Sequence, residues 1–118
     1  MKIIFKAPGR VPEIRNIDGS LKTLQELVGG NIEPITLHNG MVILCDEEGK
    51  LRGKEPNIWL ERIKDTLVGN AIFLGEDGEE FTDFPEEHLD AVLAILPLIS
   101  VKEVKHGKTE EDRRLYSR

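Results

Sequence analysis

The chain has 118 residues, 39% hydrophobic and 32% charged, with a formal net charge of −6. That length and balance suit one folded domain with its own core and exclude a disordered polymer. The negative charge is concentrated in residues 66–101, where Glu76, Asp77, Glu79, Glu80, Asp83, Glu86, Glu87 and Asp90 stand without a single Lys or Arg; that acidic third would repel a phosphate backbone, so no nucleic acid is expected as partner.

Residues 2–7 and 12–17 read as two strands around Pro8-Gly9-Arg10, with Ile3, Phe5 and Ala7 alternating with Lys2, Ile4 and Lys6. A charge inside this first apolar run makes it look like a strand, not a signal peptide. Asp18-Gly19-Ser20 opens a helix, with Asp18 or Ser20 as the capping oxygen and Leu21, Leu24, Leu27 and Val28 at helical spacing. Gly29-Gly30 stops it. Two apolar runs follow, Ile32 to Leu37 and Met41 to Cys45, joined by Asn39-Gly40, the strongest short hairpin signal. The second run is apolar throughout, which predicts a central strand covered on both faces.

Asp46 to Gly53 leaves the sheet as a polar turn or short ribbon. Asn57 is placed to cap a short helix over 58–67, with Leu60, Ile63 and Leu67 inward. Residues 69–75 read as a buried strand, Glu76 to Glu79 as a turn and Glu80-Phe81-Thr82 as a short strand. Asp83-Phe84-Pro85-Glu86 is a helix start: a capping aspartate, a first-turn proline, a carboxylate three residues on. That helix, running to about Leu96, is apolar nearly all round and is expected to be well buried. Pro97 ends or kinks it. Leu89 to Val101 as a whole is too short to span a bilayer, and no membrane is expected as partner.

The expected fold is therefore α+β: one domain over 1–101, a mostly antiparallel sheet of about five to six strands, and two or three helices packed on one face. Residues 102–118 are expected to form a charged, loose tail.

At residues 24–57 and 68–82 the chain resembles a family of small proteins from phages, plasmids and integrative elements of Gram-positive bacteria, known only as a domain of unknown function. The resemblance rests on Pro8-Gly9, on Ile17-Asp18-Gly19-Ser20-Leu21, and on Leu24-Gln25-Glu26-Leu27-Val28-Gly29-Gly30-Asn31-Ile32-Glu33. It continues with Glu47-Glu48-Gly49-Lys50-Leu51, Gly53, Asn57 and Val68-Gly69-Asn70-Ala71-Ile72-Phe73-Leu74-Gly75. It covers roughly residues 1–90 and brings no catalytic residues with it.

Catalysis is not expected. No Ser or Cys sits in a nucleophile elbow, no glycine-rich loop links strand to helix in phosphate-binding form, and no His–carboxylate set is visible. Cys45 is a lone cysteine in an apolar strand, without a disulfide partner or a neighbour at metal-ligand spacing. A reducing, cytoplasmic setting suits it. The adjacent acids Asp46-Glu47-Glu48 on a strand end point in alternating directions, so no metal site and no cofactor are expected.

Lys50, Arg52 and Lys54 alternate, and in an extended segment they would form a basic comb flanked by Gly49 and Gly53. Such a comb could hold a nucleotide-like ligand or an acidic partner, with Asn57 close by, or it could protect a sheet edge from aggregation. Trp59 is either core packing or an exposed anchor for a partner. The acidic run from Glu76 to Asp90 is a solvated turn and helix start, or a polyanion mimic. The function expected is a non-enzymatic binding protein of a phage or mobile element acting on a host factor, with counter-defence as one role. The alternative is a small-molecule binder that sequesters a nucleotide-like signal. A homo-oligomer is compatible with either.

Overall fold

The structure, a computed structural model, describes residues 1–101. The first alternating run forms β1 (Lys2–Lys6), which pairs antiparallel with β2 (Glu13–Asn16). Helix α1 (Leu21–Val28) follows, and its capping oxygen is Ser20 Oγ, which accepts from the Thr23 N–H at 3.2 Å. Strands β3 (Ile32–Thr36) and β4 (Met41–Asp46) form the expected hairpin. Asn39 and Gly40 both have positive φ, 60° and 75°, as the tight turn requires.

The chain then makes a two-stranded ribbon, β5 (Pro56–Leu60) against β6 (Asp65–Val68). It re-enters the sheet as β7 (Ala71–Asp77) and the short β8 (Glu80–Thr82). A 3-10 turn at Glu86–His88 leads into α2 (Leu89–Ile99).

The main sheet runs β2-β1-β7-β4-β3, with β8 paired to β7, and every pairing is antiparallel. Its register aligns Ile4, Phe73, Ile43 and Ile35 on one face and Phe5, Ile72, Leu44 and Pro34 on the other. Because β1, β4 and β7 bury both faces, the sheet separates two cores. On one side Ile3, Phe5, Val42, Leu44, Ile72 and Leu74 pack with Leu24 and Val28 of α1. On the other, Ile4, Ile43 and Phe73 meet Ile58, Leu60 and Leu67 of the ribbon and Leu89 and Leu96 of α2.

The α+β class, the mostly antiparallel sheet and the two helices match expectation. The placement of the helices does not: α1 and α2 lie on opposite faces, since α2 shares its face with the ribbon. The helix expected over 58–67 is not formed. Ile58 and Leu60 face the core by strand alternation, and Glu61 to Lys64 turn the chain back, with the Lys64 N–H on Glu61 O at 3.1 Å and Lys64 at φ 49°. Asp83 caps nothing: its Oδ1 accepts from the Lys2 N–H at 3.0 Å, and the Phe84 N–H bonds Lys2 O at 2.8 Å, which keeps this segment extended beside β1. Pro97 sits inside α2 without ending it. Residues 102–118, expected as a tail, lie outside the described residues. No helix among the described residues is long and apolar enough to cross a membrane.

Candidate functional site

The basic comb is not formed. Residues 47–53 wind through turns, with the Arg52 N–H on Glu48 O and the Lys54 N–H on Gly49 O, both at 3.0 Å, so the three cations do not line up in one row. Lys50 pairs with Asp65. Arg52 donates from Nη1 to Gly29 O at 3.0 Å and lies 3.5 Å from Glu48. Lys54 Nζ donates to Val28 O at 2.8 Å and Gly29 O at 3.1 Å. The segment is no edge strand either, so edge protection does not account for these charges. Two of them sit at the C-terminus of α1, where the helix presents unpaired carbonyls and the negative end of its dipole. Asn70 completes that end, its Nδ2 donating to Leu27 O at 2.9 Å.

Lys54 also lies 2.6 Å from Oδ2 of Asp46, whose side chain is fully buried, while Asp46 Oδ1 accepts from the Glu48 N–H at 2.9 Å. Burial alone would push the Asp46 carboxyl up. The Lys54 and Glu48 hydrogen bonds and the charges of Lys54 and Arg52 outweigh it, and hold the pKa below the usual carboxylate range. Two glycines make the room. A Cβ on Gly30 would lie 2.5 Å from Asp46 Oδ1, and one on Gly69 would lie 2.8 Å from Lys54 Cδ. Parts of the resembling pattern, Gly29-Gly30 and Gly69-Asn70, thus belong to one internal fastening around Lys54 and Asp46.

Asn57 is buried and caps no helix. A register shift between Pro56 and Ile58 turns it inward. Its Nδ2 donates to Lys6 O at 2.8 Å and Gly69 O at 2.7 Å, and its Oδ1 accepts from Lys6 Nζ at 3.0 Å. Trp59 is half-buried on the side of β5 away from Ile58 and Leu60, with Nε1 donating to Glu61 Oε2 at 3.1 Å. The structure therefore brings Lys54 and Arg52 together at α1 and leaves Lys50, Asn57 and Trp59 in three separate settings.

Chemistry is equally constrained elsewhere. Burial, with the nearby charges of Glu33 and Asp46, pushes the Cys45 thiol up to about 11, which removes its thiolate at neutral pH. Among the described residues, no group of three His, Cys, Asp or Glu side chains is placed to hold a metal ion.

Two features were not singled out as sites from the sequence. The outward face of α2 carries Ala91, Ala94, Ile95 and Leu98 in the open, with Ile95 49% and Leu98 82% exposed, where a well-buried helix was expected. The ribbon takes the core space that a more deeply buried helix would fill. The signal was present as an apolar helix without a polar face. The second feature is Lys6, 2% exposed, whose Nζ donates to Ala7 O at 2.8 Å and to Asn57 Oδ1. It pairs with no carboxylate among the described residues, and burial lowers its pKa. In the sequence Lys6 looked like the polar member of an alternating strand, and nothing in β1 distinguished it from Lys2.

Residues 1–96 match the model of the family described as Domain of unknown function (DUF3846). The chain belongs to that family. No curated protein and no solved structure matches it. Membership covers both cores, the Lys54–Asp46 pair, Lys6 and most of α2, and assigns none of them a role.

Proposed function

We propose that this DUF3846 protein is a non-enzymatic binding protein that engages a host protein through the outward face of α2. The observation that carries the reading is the open stripe Ala91, Ala94, Ile95 and Leu98, at the i, i+3, i+4, i+7 spacing by which a helix docks into an apolar groove. Val11, 78% exposed, extends the surface, since it lines a pocket together with Pro97 of the same helix. Exposed apolar groups gathered on one element mark an interaction site more often than isolated ones do. The nucleotide-like alternative loses its main support, because the cations meant to hold the ligand are engaged with Asp46, Asp65 and the end of α1.

The setting we propose is the cytoplasm of a Gram-positive host carrying a phage or mobile element, with counter-defence as one role. The lone, buried Cys45 supports the compartment, and the sequence resemblance supports the origin.

The test replaces Ile95 and Leu98 together by Glu. Both side chains are exposed, so the variant keeps the wild-type melting temperature. Wild type is expected to recover a host protein that the variant loses. If instead wild type is a dimer that the variant splits, the face joins two copies and the host-factor reading falls.

A further inference from the structure

Lys6 lines a pocket of about 280 Å³ with Gly9, Arg10, Val11, Pro12, Pro97, Ser100 and Val101. A buried ammonium without an anion is costly, because the desolvation is not offset by a counter-charge. The group has three N–H donors, and Ala7 O and Asn57 Oδ1 take two of them. Among the described residues nothing takes the third donor, no carboxylate balances the charge, and Lys6 is part of the wall of an open volume. A second cation, Arg10, stands on the exposed β1–β2 turn at the same pocket. The rest of the wall is apolar, from Val11, Pro12, Pro97 and Val101, with the Ser100 hydroxyl committed to Leu96 O at 2.6 Å.

From this arrangement we infer that the pocket is a binding site for a compact monocarboxylate with a short aliphatic body, its carboxylate held by Lys6 and Arg10. A phosphate dianion fits less well, since it brings a second charge and no apolar body to a wall that is otherwise apolar. The volume, about 280 Å³, has room for a small acid. The pocket adjoins the α2 docking face through Val11 and Pro97, but Ile95 and Leu98, the side chains that test that face, are not in its wall. Either assignment can fail without the other.

The test follows the Lys6 side-chain ammonium by ¹H–¹⁵N NMR, at constant ionic strength, during titration with butyrate, butyramide and inorganic phosphate. Butyrate is expected to shift the Lys6 signal saturably, while the amide and phosphate leave it in place. Arg10→Ala, a change on an exposed turn, is expected to weaken butyrate about tenfold or more, as loss of one charged hydrogen bond does. Lys6→Met is expected to abolish the rise in melting temperature that butyrate gives wild type. N-acetyl-valine presents the same group as a chain end. Tighter binding than butyrate assigns the carboxylate to a peptide terminus and weaker binding to a free acid, and both support the site. The inference is overturned if butyrate leaves the Lys6 signal unmoved, if butyramide or phosphate binds equally well, or if Arg10→Ala changes nothing.

Discussion

Lys54 shows how one side chain can join distant parts of a small domain. Its ammonium contacts Val28 O, Gly29 O and the Asp46 carboxylate, and Gly30 and Gly69 leave space for the arrangement. Replacing it by Met keeps the stem and removes the charge. The fully buried Asp46 carboxylate is then left without its closest cation, and breaking a buried pair in this way typically costs about 3–5 kcal/mol. Lys54 retains some exposure, so the lower end, about 3 kcal/mol, is expected from urea unfolding. Adding Asp46→Asn should recover part of that loss, because the orphaned charge is gone. A loss under about 0.5 kcal/mol, the scale of an exposed pair, would show that the contact is ordinary surface electrostatics.

Among the elements, the β5–β6 ribbon depends most on its surroundings, since an isolated two-stranded ribbon is marginal in water. Ile58, Leu60 and Leu67 pack it on the core, and Asn57 ties it to β1 and to Gly69. Asn57→Ala leaves Lys6 O, Gly69 O and Lys6 Nζ short of a buried partner, so a loss of about 3 kcal/mol is expected. Amide exchange in residues 56–68 should rise before exchange in β4 and β7. A uniform rise across the sheet would mean that the ribbon is not a separate opening unit. This element was also the hardest to see in the sequence. Leu60, Ile63 and Leu67 satisfy helical spacing, and the turn from Glu61 to Lys64 contains none of the glycine, proline or asparagine that announced Asn39-Gly40. The β3–β4 hairpin, α1 and β7 were legible because local turn chemistry and apolar pattern agreed there. The comb failed for a related reason: alternation at 50, 52 and 54 has meaning only in an extended chain, and Arg52 and Lys54 bond back into a wound loop. Lys6 escaped notice because its isolation from carboxylates depends on what β5 and α2 bring to it, which no local pattern in β1 encodes.

For the molecule as a whole, buried and paired ionisable groups set two distinct pH limbs. The Lys54 and Glu48 bonds outweigh burial at Asp46, the Lys50 bond dominates at Asp65, and the Ser20 N–H dominates at Asp18; all three carboxyls have lowered pKa values. A carboxyl depressed in the folded state binds fewer protons there than in the unfolded chain. Its stabilisation is therefore complete above the unfolded value, about 3.9, and is lost as pH falls through the folded one. Above neutrality two groups oppose each other. Cys45, raised to about 11 by burial, stays protonated when the unfolded chain's thiol ionises, so stability falls from about pH 8.5 upward on its account. Lys6 is a base with a lowered pKa, so between its folded value and about 10.4 the unfolded chain holds the extra proton, and stability rises with pH. Comparing wild type with Lys6→Met isolates this contribution, because Cys45 is common to both chains. The unfolding free energy of wild type relative to the Met variant is expected to increase from pH 7 toward pH 10, as the buried ammonium loses its proton and its desolvation cost disappears. A difference that stays flat over that range would mean that Lys6 keeps its charge at no cost.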